Sequence, residues 1–151
     1  VSEREWGKMK IRQISVFLEN KVGRILEITE ILGQNDINIR ALSLADTSDF
    51  GILRMIVNDI EKAAKKLKEK GFIVKESSVV AVEVPDKPGG LAAVLKVLGE
   101  ENINVEYMYA FFEGVQDRAL LIFRFEDSDQ AVAALGRRGI NIADEKQLGV
   151  R

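Results

Sequence analysis

The sequence predicts an α+β protein made of two copies of one small module, and two observations carry that prediction. A shift of 66 positions lays Lys21, Gly23, Leu32, Gly33, Ile37 and Asn38 on Lys87, Gly89, Leu98, Gly99, Ile103 and Asn104, and from residue 51 onward a shift of 68 lays Leu53, Asp59, Ala63, Leu67 and Gly71 on Leu121, Asp127, Ala131, Leu135 and Gly139. The length change lies between residues 45–50 and 111–118, which places it in a surface connection, where insertions are tolerated. The second observation is the element order, which reads strand, helix, strand, strand, helix, strand in each copy.

Each element has its own signal. In the stretch 11–18, Ile14, Val16 and Leu18 alternate onto one face, and Val80, Val82 and Val84 repeat that spacing, so these are the first strands. A glycine-bearing turn follows, Asn20-Lys21-Val22-Gly23-Arg24 or Asp86-Lys87-Pro88-Gly89-Gly90, and then apolar residues at helical spacing, clearest at Leu91, Val94, Leu95 and Leu98. These helices end near Gly33 and Gly99. Second strands start at Ile37-Asn38-Ile39 and Ile103-Asn104-Val105 and run to about 45 and 111. Third strands cover about 51–58 and 118–126, joined to the second by hairpins; Asp46-Thr47-Ser48-Asp49 supplies polar turn residues.

Asp59 and Asp127 sit where a helix N-cap is wanted, with Gln130 three residues after the latter, and Gly71 and Gly139 sit where a helix stops. Between them, Ala63, Ala64 and Leu67, or Ala131, Val132 and Leu135, form the apolar stripe of each second helix. Lys62, Lys65, Lys66, Lys68 and Lys70 then make a solvated face. Last strands are expected at about 72–78 and 140–148. The order is the split βαββαβ arrangement of a ferredoxin-like sandwich, an antiparallel sheet with two helices on one face. In that arrangement the second strand is an unpaired edge, a hazard that two copies remove by joining edge to edge. Pairing between strands 37–45 and 103–111 is therefore expected.

The organisation predicted is an N-terminal extension at 1–9 anchored by Trp6, one module at 10–78 and another at 79–151. Between the modules, Lys75-Glu76-Ser77-Ser78-Val79-Val80 contains neither Gly nor Pro, so either the two serines turn tightly or the chain runs straight on. On the sheet face away from the helices, Phe17, Ile52, Ile56, Leu120 and Ile122 predict an apolar patch. A homodimer stacked through that open face, or some other cover, is expected over it.

Composition excludes more than it proposes. Basic and acidic residues number 22 and 24, and neither half carries the strong positive excess that a nucleic-acid partner requires. The chain contains no Cys and no His, which removes thiol nucleophiles, disulfides, zinc-thiolate sites and His-based acid–base catalysis. No metal site and no cofactor are implied. No apolar run approaches ~18 residues and the first residues lack a hydrophobic signal core, so the reading is soluble, free of membrane and cytoplasmic.

Asp86-Lys87-Pro88-Gly89-Gly90-Leu91 after a short apolar strand, Gly99 at the helix end and Ile103-Asn104-Val105 opening the next strand together resemble an ACT domain. Asn20-Lys21-Val22-Gly23-Arg24-Ile25 with Ile37-Asn38-Ile39 fits the same pattern. The resemblance covers about residues 10–148 and is closest to stand-alone tandem ACT proteins. It implies two ACT-type modules of a regulatory, non-catalytic protein that binds an amino acid at the seam between paired modules and acts on a partner of amino-acid metabolism.

The chemistry of the turns agrees. A helix N-terminus offers free backbone N–H groups and partial positive charge, and glycines let a carboxylate approach closely. The ligand's ammonium would need an oxygen, for which Asp86 and Asn104 in one copy and Asn20 and Asn38 in the other are candidates. The first copy departs from the pattern, with Asn20 for the acid, Val22 for the proline and Arg24 for the second glycine, so the two sites need not share a ligand. Tyr107 and Tyr109 lie on the expected edge strand, where they either close the seam or line a pocket; Phe111 packs.

Three function classes compete. The sensor reading needs no catalytic residue and includes, as a variant, a regulatory subunit resembling that of acetolactate synthase. RNA binding rests on a faint motif echo at Lys70-Gly71-Phe72-Ile73-Val74 and fails on position and charge. An enzyme would have to use Asp86, Glu83, Glu106 or Tyr109, which form no paired constellation.

Overall fold

The structure, a computed structural model, describes Gly7 and residues 9–46, 49–114 and 117–150. Trp6 and most of the expected N-terminal extension lie outside the described residues, as do Thr47 and Ser48 of the first hairpin turn. The described elements are β1 (Lys10–Glu19), α1 (Arg24–Gln34), β2 (Ile39–Asp46), β3 (Phe50–Val57), α2 (Ile60–Glu69), β4 (Ile73–Pro85), α3 (Gly90–Glu100), β5 (Val105–Ala110), β6 (Arg118–Phe125), α4 (Ser128–Arg137) and β7 (Ile142–Ala143). The result is the expected α+β fold, a tandem of ferredoxin-like units with antiparallel strands. One compact unit spans Arg12–Ser77 and takes in Gly149 and Val150, and the other spans Ser78–Leu148 and takes in the described chain up to Ile11.

The first unit orders its strands β2-β3-β1, with the opening half of β4 next to β1. Alternation sends Ile14, Val16, Leu18, Leu53, Met55 and Val57 to one face, where they meet Ile28, Ile31 and Leu32 of α1 and Ile60, Ala63, Ala64 and Leu67 of α2 in a single buried cluster. Full burial of each large aliphatic side chain contributes roughly 1.5–3 kcal/mol relative to exposure, which is why this stripe, not propensity, holds the helices. On the opposite face Gln13 is buried and donates from Nε2 to Ser77 Oγ at 3.1 Å, which satisfies one of its amide hydrogens.

The second unit repeats this plan. Its strands run β4-β6-β5, with β7 also on β4. Val80, Val82, Val84, Phe123 and Phe125 join Val94 and Leu98 of α3 and Ala131, Val132, Ala134 and Leu135 of α4 in the core. Phe123 and Phe125 stack with their ring centroids 5.4 Å apart, where the first unit has Met55 and Val57.

The strand registers match the repeat residue by residue. Val16 pairs with Leu53, Phe17 with Ile52 and Glu19 with Phe50 in the first unit; Val82 pairs with Leu121, Glu83 with Leu120 and Pro85 with Arg118 in the second. The hairpins β2–β3 and β5–β6 even carry their irregularity at the same place, between Ile39 and Ala41 and between Val105 and Tyr107.

Three expectations are corrected. Strands 37–45 and 103–111 do not pair with each other: among the described residues β2 bonds only to β3, and β5 only to β6. The reason lies at residues 75–80, where no Gly or Pro breaks the chain and the β-branched Val79 and Val80 favour extension. There β4 runs straight through for 13 residues, so each unit's sheet draws on the same strand and the outer strands stay ends of the path. The last strand is not 140–148 but the two residues of β7. After it Asp144 turns the chain, accepting from Gln147 N–H at 2.8 Å while its own N–H donates to the Gln147 side chain at 2.9 Å.

The apolar patch is smaller than expected. Ile56, Leu120 and Ile122 are buried within the chain, as are Ala81, Tyr109 and Phe111, which share their unit's helix-free face with Leu120 and Ile122. Phe17 and Ile52 remain half-exposed. The unbroken β4 follows the second of the two courses open to residues 75–80, the straight run.

Candidate functional site

The two strand-to-helix turns are built alike. Gly23 and Gly89 hold left-handed φ values of 89° and 80°, a conformation glycine adopts without the Cβ penalty, and each is the N-cap of the helix that follows. Lys21 N–H donates to Glu19 O and Lys87 N–H to Pro85 O, both at 2.9 Å, and Glu27 N–H and Ala93 N–H return to Gly23 O and Gly89 O at 3.0 Å. Neither α1 nor α3 receives a side-chain cap. By contrast α2 and α4 do, with Asp59 accepting from Lys62 N–H at 3.2 Å and Asp127 from Gln130 N–H at 3.1 Å. Each unit therefore caps one helix N-terminus with a side chain and leaves the turn-borne one without such a cap, its first N–H bonded back into the turn, Arg24 to Lys21 O at 3.3 Å and Gly90 to Lys87 O at 3.0 Å.

Side chains then distinguish the turns. In the first, Val22 is fully exposed, Ile25 is exposed, and Arg24 contacts Glu27 at 3.1 Å and Glu19 at 3.7 Å. Its guanidinium also sits over the Phe72 ring, 5.9 Å from the centroid. Lys21 bonds Glu19 at 2.6 Å and, as the main cause, holds that carboxyl below its ordinary value. In the second turn Gly90 is buried, and a Cβ added there would lie 2.0 Å from Pro85 O, so only glycine fits. Asp86, Lys87 and Pro88 are exposed and Leu91 is half-buried. Pro85, Asp86, Lys87, Asp117 and Arg118 line a polar cavity of about 370 Å³.

Asn38 and Asn104 are placed elsewhere. Asn38 N–H donates to Asn58 Oδ1 at 2.9 Å, whereas Asn20 N–H donates to Asp49 O at 2.9 Å, so the two asparagines flank opposite ends of β3. Eight extended residues separate those ends, about 20 Å or more, so the unit brings Asn20 and Asn38 to no common point. Asn104 lines a larger groove of about 710 Å³ with Lys10, Ser78, Arg124 and the capped start of α4. That groove is internally paired: Lys10 meets Asp129 at 2.6 Å and Arg124 donates to Ser78 O at 2.6 Å. Tyr109 is buried and Tyr107 half-buried on β5. Among the described residues no group of three or more acidic side chains is placed to hold a metal ion, and no helix is long and apolar enough to cross a membrane.

One feature escaped the sequence reading. Phe17, Leu18, Glu19, Arg24, Phe50 and the loop Lys70–Ile73 enclose a cavity of about 290 Å³ at the end of the first unit that carries the turn. Applying the repeat offset to residues that differ between copies would have found it, because Phe17, Phe50 and Ile73 stand where the second copy has Glu83, Arg118 and Asn141.

Comparison with known proteins settles the family. A family model described as an ACT domain pair matches residues 9–150. The chain is a member of that family. Among solved structures, this ACT pair is similar to a protein from Bacteroides thetaiotaomicron, with 39% identity and a TM-score of 0.87 over 93% of this chain and 96% of that one. It shares its fold with the regulatory subunit of aspartate kinase from Thermus thermophilus, at 15% identity and TM-score 0.61 over 85% of this chain and 93% of that one. The corresponding subunit from Thermus flavus matches at 13% identity and TM-score 0.60, over 85% and 92%. No curated protein matches the sequence.

Proposed function

We propose that this ACT pair is a non-catalytic, cytoplasmic regulatory protein that binds an amino acid or similar small ligand at its strand-to-helix turns and signals to a partner of amino-acid metabolism. The observation that carries the reading is the contrast in capping: α2 and α4 are closed by Asp59 and Asp127, while α1 and α3 start at uncapped left-handed glycines. A ligand carboxylate supplies the missing cap and the missing charge. Asn20, Lys21, Val22, Gly23, Arg24 and Ile25 would form one such site, and Asp86, Lys87, Pro88, Gly89, Gly90 and Leu91 the other. Asn38, Asn104, Tyr107 and Tyr109 lie away from the turn of their own unit and would join only where another ACT surface completes a seam. A second copy of the chain is the simplest source of that surface.

A thermal-shift screen against the twenty amino acids tests this, since a ligand at ~100 times its Kd adds ~2.7 kcal/mol of stability. One or a few amino acids should raise Tm, and Asp86→Ala and Asn20→Ala should lower affinity to different extents. No shift with any amino acid, together with binding of labelled RNA, would sink the proposal in favour of a nucleic-acid module.

A further inference from the structure

We infer that the cavity in the first unit is a second, single-module site for an apolar α-amino acid, a site the second unit has lost; the inference rests on the amino-acid reading above. The walls are Phe17, Phe50, Phe72 and Ile73, and at one side stand Glu19 and Arg24, 3.7 Å apart. Phe50 and Ile73 are 63% and 66% exposed, a large apolar area for the first residues of two strands to leave in water. The cavity of about 290 Å³ equals roughly ten water volumes, room for an apolar side chain with its zwitterionic head.

The charges suit that head. A guanidinium has five N–H donors, and the contact with Glu27 leaves Arg24 donors for a carboxylate. The Phe72 ring beneath it holds the guanidinium at the cavity edge. Glu19, bonded to Lys21 at 2.6 Å, keeps further lone pairs with which to accept from an ammonium. A neutral hydrocarbon would make no use of this charged edge, and a nucleotide or sugar would waste four apolar walls.

The duplication provides the internal control. The register that pairs Glu19 with Phe50 pairs Pro85 with Arg118, and the one that pairs Phe17 with Ile52 pairs Glu83 with Leu120. Three of the four walls and both charged residues change in kind: Glu83 accepts from Asn141 Nδ2 at 3.2 Å and faces Arg118 at 3.9 Å, Pro85 and Gly90 stand for Glu19 and Arg24, and only Phe72 keeps an apolar counterpart, Ile140. The fold thus does not require an apolar corner at this place. Among the described residues, the equivalent place in the second unit holds the Glu83–Arg118 pair without the apolar walls at 17, 50 and 73.

The test is an amide NMR titration of the whole chain with L-phenylalanine and L-leucine, up to about 10 mM so that millimolar affinities register. Saturable shifts at Phe50, Gly71 and Ile73 are expected, at least about tenfold weaker with phenethylamine, which lacks the carboxylate, and with N-acetyl-L-phenylalanine, which lacks the ammonium. Phe50→Arg with Ile73→Asn installs the second unit's residues at exposed positions. It should abolish those shifts while the remaining spectrum stays dispersed. Absence of saturable corner shifts, or their survival in the double variant, overturns the inference. So does a concentration-dependent dimer that the double variant dissolves, which would make the corner a contact between copies. Shifts confined to residues 86–91 refute the corner and leave the proposed function standing; no binding by any amino acid refutes both.

Discussion

The turns at Gly23 and Gly89 share a backbone and differ in what they permit. Their hydrogen bonds correspond one for one, but Arg24 N–H reaches Lys21 O at 3.3 Å while Gly90 N–H reaches Lys87 O at 3.0 Å. The tighter turn brings Pro85 O to 2.0 Å from the place a Cβ would occupy. The looser one admits a full arginine, and that arginine collects Glu19, Glu27 and the Phe72 ring. The second turn therefore excludes any side chain at the position from which the first one sends a charge to the corner. Divergence after duplication acted on side-chain freedom, with the strand ladders left in place.

Substitution at the paired positions should break this comparison most strongly. Gly90→Ala forces a backbone shift and is expected to cost about 1–3 kcal/mol in urea unfolding, whereas Arg24→Ala, at a half-exposed position, should stay within about 0.5 kcal/mol. Equal effects would show that the two turns relax alike. A smaller, symmetrical effect should come from the caps: Asp59→Ala and Asp127→Ala are each expected to cost about 1 kcal/mol, because both accept from the N–H three residues on. A cost in only one copy would extend the divergence beyond the turns.

The smallest effect is electrostatic. Lys21 lowers the Glu19 carboxyl in the first unit, and Arg138, bonded at 2.8 Å, lowers that of Glu100 in the second. A carboxyl lowered on folding stabilises the fold above its unfolded value and loses that contribution as pH falls through the lowered one. Both pairs should therefore persist to below the ordinary value of 4.5. Carboxyl-detected NMR titration should place both midpoints there, and Lys21→Ala and Arg138→Ala should each move only their own partner back up.

Much of the fold was legible because duplication doubles every local signal. The alternation of Val80, Val82 and Val84, the aspartates at 59 and 127 and the glycines at 23 and 89 each had a partner at the right offset. The path through Ser77 and Ser78 was left open, since serine accepts both a turn and an extended strand, and the outcome depends on which sheets claim the segment. Asn38 shows a different limit. Its place in the repeat said nothing of distance, and the geometry of β3 sets it far from Asn20. The corner escaped because Phe17, Phe50 and Ile73 come from three segments that only the antiparallel sheet gathers, and attention to what the copies share passes over what they do not.

The irregularity near the start of β2 and β5 has a further consequence. The residue skipped by each ladder is Arg40 in one strand and Glu106 in the other. A bulge twists an outer strand away from flatness, and a charge at the bulge must be desolvated before a stray strand can dock there. Each outer strand thus carries a charged bulge that makes the docking of a stray strand costlier at that place.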